Sequence, residues 1–172
     1  MSETISLKQT IQIRGRADAL FRLVLDPKRR ARWDPNIQRA SYVGEEKLKG
    51  GTLARFKLPT RLLGLSFTAR YGQYQAPHRG GWESVKPFGP LEKLSQGWVF
   101  RSVPGGTEVT FTVTARVRYR FIQRPIERVL QSGMAQTLVE LQRQVDKQGA
   151  ELIENTSREL AKTQREARKK KR

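Results

Sequence analysis

Residues 125–152 carry Ile126, Val129, Leu130, Met134, Leu138, Leu141, Val145 and Leu152 at steps of three, four and seven. That is the period of a helix with one buried face. At 1.5 Å of rise per residue the helix is about 40 Å long, enough to cross a small domain. Everything before it reads as strands and two short helices, so the chain must fold a sheet against one terminal helix. A curved sheet wrapped on a long helix leaves a hollow, and such hollows usually hold something apolar.

The strands are legible from alternation. Ile5, Leu7, Ile11 and Ile13 share one face of a first strand, with Ser6, Lys8, Thr10 and Gln12 on the other. Residues 17–25 form a short helix that Asp26-Pro27 ends, because the residue before proline is pushed out of the helical region. Residues 27–33 make a second helical segment with proline at its first position. Residues 37–45 and 52–58 pair as a hairpin around Gly50-Gly51, and residues 65–75, 82–86 and 91–101 continue the sheet. In the last strand Val109, Phe111, Val113, Ala115, Val117, Tyr119 and Phe121 lie on one face, and Thr110, Thr112, Thr114, Arg116, Arg118 and Arg120 on the other. The fold class is therefore α+β: a curved antiparallel sheet of six to seven strands on a long C-terminal helix. Residues 1–153 form the domain and 154–172 a basic extension, expected to be disordered or a frayed helix.

Composition sets the function classes. The chain of 172 residues has 37% hydrophobic residues, three Trp, seven Phe and four Tyr, enough for a packed core. It has no cysteine, which excludes disulfides, thiolate metal sites and a cysteine nucleophile. No apolar stretch reaches the length of a membrane span, and the N-terminus lacks a signal-peptide pattern. The expected location is the cytoplasm, with peripheral attachment at a membrane surface. His78, the sole histidine, falls in a Pro-Gly turn with no Ser, Cys or second His to work with, so no catalytic residue is assigned. No cofactor motif and no metal-ligand spacing is present, and a non-enzymatic role is favoured over an enzymatic one.

Three local patterns resemble a known superfamily. One is Ala17-Asp18-Ala19-Leu20-Phe21-Arg22-Leu23-Val24 leading to Asp26, then Arg32-Trp33-Asp34-Pro35. A second is Phe88-Gly89-Pro90-Leu91-Glu92-Lys93-Leu94 followed by Gly97-Trp98-Val99-Phe100, and a third is Gly106-Thr107-Glu108-Val109-Thr110-Phe111. With the element order, these make residues 3 to about 150 similar to the START-like or Bet v 1-like (SRPBCC) superfamily of polyketide cyclase/dehydrase and lipid-transport type. The second and third patterns are most similar to its coenzyme-Q-binding and ribosome-association-toxin subgroup. The resemblance implies a helix-grip fold with an apolar small molecule between sheet and C-terminal helix.

For that cavity the candidate wall is Phe56, Phe67, Tyr71, Trp82, Trp98, Phe111, Val113, Ala115 and Tyr119 from the sheet. The helix adds Ile126, Val129, Leu130, Met134 and Leu138. Each of these residues also suits a solid core. Leu62, Leu63, Pro87 and Phe88 sit in loops positioned to close one end. The expected guest is a lipid, isoprenoid or polyketide-like molecule.

Charge is the other large signal. Thirty-four Lys+Arg against sixteen Asp+Glu give +18. Segment 154–172 holds eight basic and three acidic residues, so most of the excess belongs to the domain. The expected polyanion contacts are Arg116, Arg118 and Arg120 on one strand face, extended by Arg55, Lys57 and Arg70, and Lys169, Lys170, Lys171 and Arg172 in the tail. Lys28, Arg29, Arg30 and Arg32 add a basic cluster suited to anionic lipid. Three readings stay open: apolar-ligand binding with a basic exterior for an anionic partner, an RNA- or ribosome-associated protein, and a cyclase or aromatase.

Overall fold

The computed structural model describes residues 3–169; the side chains of residues 150–156 and 169 lie outside that description. The elements run β1 (Thr4–Ile13), α1 (Ala17–Leu25), α2 (Pro27–Trp33), β2 (Arg39–Val43), β3 (Leu53–Lys57), β4 (Ser66–Gln75), β5 (Arg79–Ser84), β6 (Leu91–Val103), β7 (Gly106–Val117) and α3 (Gln123–Lys169). Short 3₁₀ turns at Thr60–Leu62 and Arg120–Ile122 complete the list. The seven strands form one antiparallel sheet in the order β1-β7-β6-β5-β4-β3-β2. The chain thus lays β2 to β7 side by side and closes with β1 against β7, from Thr4 opposite Arg116 to Ile13 opposite Thr107. This is the expected helix-grip α+β fold.

Local chemistry sets the two short helices. Asp26 stands between them in extended conformation, ending α1 and capping α2, where its carboxylate accepts from the Lys28 and Arg29 amides at 3.0 and 3.3 Å. Leu20, Phe21, Val24 and Leu25 of α1 are buried. The helix presses so closely on β5 that a Cβ at Gly80 would lie 2.8 Å from Leu25 Cδ1. At Gly81 a Cβ would lie 2.3 Å from the Gln96 carbonyl oxygen, so only glycine fits between β5 and β6 there. Register shifts at Tyr71/Tyr74 in β4 and Leu91/Lys93 in β6 interrupt the ladder, irregularities of the kind that bend a strand.

The strand expected at 82–86 runs instead from Arg79 to Ser84, and the one expected at 37–45 is shortened to Arg39–Val43. Two further boundaries bear on the site. The last strand ends at Val117, not Phe121, because its neighbours run out: β1 begins opposite Arg116 and β6 begins opposite Val117. The chain then turns, leaving Tyr119 and Phe121 exposed instead of on the inner face. The terminal helix runs from Gln123 to Lys169, about 70 Å, well past Leu152. Segment 157–169 continues that helix with every described side chain exposed, and Lys170, Lys171 and Arg172 lie outside the described residues.

Candidate functional site

The inner face of the sheet and one side of α3 do not close completely. Between them lies a cavity of about 220 Å³. The sheet supplies Phe56, Phe67, Trp82, Leu94, Gln96, Phe111 and Val113, and α3 supplies Ile126, Val129, Leu130, Gly133, Met134 and Thr137. The helical spacing explains the second set, since steps of three and four return the same face to the hollow. Leu58, Leu62, Leu63 and Leu65 cover one edge from the β3–β4 connection, and Phe88 and Pro90 of the β5–β6 connection cover another with Leu91 at the start of β6. Phe88 is buried although it lies in a loop, stacked on Phe67 with ring centroids 4.4 Å apart. Phe56 in turn stacks on Phe67 at 5.5 Å and on Trp82 at 5.2 Å, a rigid aromatic wall.

Of the residues expected at the wall, Phe56, Phe67, Trp82, Phe111, Val113, Ile126, Val129, Leu130 and Met134 line the cavity. Tyr71, Trp98, Ala115, Tyr119 and Leu138 do not. Tyr71 is buried further along β4, where its hydroxyl donates to the Leu25 carbonyl at 2.7 Å. Trp98 is consumed in packing, stacked on Phe111 with centroids 3.8 Å apart and planes 12° from parallel. Ala115 and Leu138 are buried in solid core, and Tyr119 is exposed beyond the strand end. Among the expected loop residues Leu62, Leu63 and Phe88 line the cavity; Pro87 is exposed, and Pro90 takes a place on the wall instead.

The sequence reading missed the polar end. Arg30, expected on a basic surface with Lys28, Arg29 and Arg32, is only 3% exposed because the turn of α2 puts it on the inner side with Trp33. Its Nε donates to Asp34 Oδ2 at 2.9 Å and its Nη1 to Gln96 Oε1 at 2.7 Å. The guanidinium also lies over Trp98 and Phe111, 5.3 and 5.9 Å from their centroids. Asp34, itself buried, accepts from the Asn36 amide at 2.9 Å and from Thr137 Oγ1 at 3.0 Å. Asn36 Nδ2 reaches across to α3, donating to the Gly133 carbonyl at 2.8 Å and to Thr137 Oγ1 at 2.9 Å. Arg61 straps the β3–β4 connection over the cavity edge, donating to the Pro35 carbonyl, to Asn36 Oδ1 and to Gln136 Oε1. A signal for this end was present: Gln96 is the one amide in the inward row Leu94, Gln96, Trp98, Phe100.

The hydrogen-bond balance decides what this end offers. The Asp34 carboxylate is satisfied by three donors and stands behind Arg30, away from the wall. Gln96 accepts from Arg30 through Oε1, and its amide hydrogens meet no acceptor among the described residues. The indole N–H of Trp82, on the wall, is buried without an acceptor. The cavity is thus apolar along most of its length, with surplus donors at one end and, among the described residues, no carboxylate lining it. Among the described residues no group of His, Cys, Asp or Glu is placed to hold a metal ion, and His78 is exposed in the β4–β5 turn.

Apart from Arg30 and Arg61, the basic residues expected to meet a polyanion lie outside the cavity. Arg116 ends the outer face of β7, whereas Arg118 and Arg120 belong to the turn beyond it and do not continue a strand stripe. Arg55, Lys57 and Arg70 are exposed on the outer face of β3 and β4. No described helix is long and apolar enough to cross a membrane.

Residues 4–146 match the family described as polyketide cyclase / dehydrase and lipid transport. No curated protein matches the chain. Among solved structures, the Zhui aromatase/cyclase from a Streptomyces species superposes with a TM-score of 0.74 at 12% identity, covering 84% of this chain and 95% of that one. A START superfamily protein from Mycobacterium smegmatis gives 0.70 at 11%, covering 83% and 97%. A protein of unknown function from Staphylococcus aureus gives 0.68 at 10%, covering 87% and 98%. At these identities the likeness is one of fold.

Proposed function

The chain belongs to the polyketide cyclase/dehydrase and lipid transport family, and from that premise we propose that it binds an apolar small molecule in the cavity between sheet and α3, without chemically transforming it. The observation that carries this reading is the cavity itself, about 220 Å³ of unfilled space in an interior that would otherwise close-pack. An apolar cavity of about 150 Å³ already accepts a benzene-sized guest. This one suits a lipid, isoprenoid or polyketide-like molecule with a ring or chain enclosed. Arg30 and Gln96 favour a hydrogen-bond acceptor, such as a carbonyl or quinone oxygen, at the inner end. A carboxylate head is disfavoured there, since Asp34 already balances the Arg30 charge.

Binding is favoured over ring-forming catalysis because proton transfer needs a titratable group at the reacting atoms. Among the described residues the cavity wall has no His, Asp, Glu, Lys or Tyr.

Native mass spectrometry of protein isolated from cells, and titration of the emptied protein with a series of quinones, fatty alcohols and fatty acids, test the proposal. The expected results are a co-purified apolar mass and a change in tryptophan emission with acceptor-headed guests that is lost in Trp82→Phe. Leu130→Trp, which narrows the cavity, should weaken both while the thermal melt stays cooperative. Protein that carries no guest and responds to none of the series would sink the reading.

A further inference from the structure

Leu63 and Val129 both line the cavity and are also 75% and 46% exposed, so the opening lies between the β3–β4 connection and α3. Leu63 is held outward by a left-handed backbone, φ 62°, unusual for a leucine. Beside this opening the chain leaves β7 through Arg118, whose amide donates at 3.0 Å to the carbonyl of Pro90 on the cavity rim. The next residues present Tyr119 and Phe121, 57% and 81% exposed, with rings stacked 5.8 Å apart. Arg118, Arg120, Arg124 and Arg128, all exposed, lie in the same turn and the first turns of α3. Glu3 pairs with Arg120 at 2.8 Å, Glu127 lies in the first turns of α3, and Glu92 follows Leu91 on the rim.

We propose that this mouth is a docking face for an anionic lipid bilayer, with Leu63, Tyr119, Phe121 and Val129 entering the interfacial layer and the arginines pairing with lipid phosphates. Among the described residues no other stacked aromatic pair stands in water. Aromatic rings beside arginine are the composition that sits at the headgroup level of a membrane. Each basic residue near an anionic surface adds to the attraction. The same ring-and-arginine composition suits single-stranded RNA. Aliphatic Leu63 and Val129 offer no face for a base to stack on, and they border an apolar cavity, so the lipid surface is favoured. The purpose of the docking, transfer of an apolar guest without passage through water, rests on the cavity being a ligand site; the docking itself does not.

The test is co-sedimentation of the full chain with phosphatidylcholine vesicles, with and without phosphatidylglycerol. Binding should require the anionic lipid and weaken as salt rises. Leu63→Ser, Tyr119→Ser and Phe121→Ser together should weaken it tenfold or more, as should Arg124→Glu with Arg128→Glu. All five positions are exposed, so the melts should match the parent. Phe121→Trp supplies a reporter whose emission should shift blue on anionic vesicles and stay unchanged on neutral ones. The proposal falls if the chain ignores anionic vesicles, if the triple serine variant binds them undiminished, or if single-stranded RNA binds through these residues in preference to the vesicles. Native mass spectrometry on the same samples separates the two ideas. A guest in the cavity without vesicle binding refutes docking alone, and vesicle binding by a protein that takes no guest refutes the ligand reading alone.

Discussion

Arg30 and Asp34 form a buried ion pair that joins α2, the sheet and α3 through Gln96, Asn36 and Thr137. Removing one partner leaves the other uncompensated inside, which costs about 3–5 kcal/mol, whereas replacing both with apolar groups is often close to neutral. Arg30→Met should therefore lower unfolding stability by about that amount, and Arg30→Met with Asp34→Leu should recover much of it. Urea unfolding of the four proteins in this cycle measures the coupling; purely additive losses would mean that the two charges act separately. Tyr71 makes a second prediction at this scale. Burial holds its phenol well above the ordinary value of 10, and Tyr42, desolvated beside Asp26, is pushed up to about 12. The folded state keeps these protons more tightly than the unfolded chain, so their contribution is complete below pH 10 and is lost as pH rises past it. Stability measured by urea midpoint should fall above pH 10, and fall less steeply in Tyr71→Phe. An unchanged slope in that variant would place the alkaline loss elsewhere.

At the scale of elements, what the sequence made legible was whatever repeats. Alternation identified the strands and the 3.6-residue period identified α3, because both follow from burying one face. Boundaries depend on neighbours, which a single strand does not reveal. Tyr119 and Phe121 keep the alternation of Val109 to Val117, yet β1 and β6 provide no partner beyond Arg116 and Val117. Among the described side chains of α3, Val145 is the last of the apolar stripe packed against the core. Glu, Lys, Arg, Gln and Ala beyond it are strong helix formers, so the helix outlasts its buried face. Arg30 was misread for a related reason: charge predicts exposure, and only its partner Asp34, four residues on, turns it inward. Met134 and Leu138 are 2% and 3% exposed on α3. Leu138→Ala should cost about 2–5 kcal/mol, and Met134→Asp or Leu138→Asp should abolish the cooperative melt by placing an unpaired charge inside. Retained two-state melting in both aspartate variants would contradict the packing of α3 against the sheet.

For the whole molecule, the excess charge of +18 is divided between a folded body with a defined mouth and a helical extension with no apolar face. The two predict different behaviour toward polyanions. The described side chains of 157–168 are all exposed, so deleting residues 157–172 removes no core contact of theirs and should leave the melting temperature within about a degree. The deletion should still weaken binding to heparin and flatten its salt dependence, because fewer counterions are released. Binding to anionic vesicles should persist, since the arginines and aromatic rings of the mouth remain. A deletion that destabilises the domain would make the extension part of its architecture. One that erases vesicle binding while Tyr119, Phe121 and Arg124 are intact would move the membrane contact from the cavity opening to the end of α3.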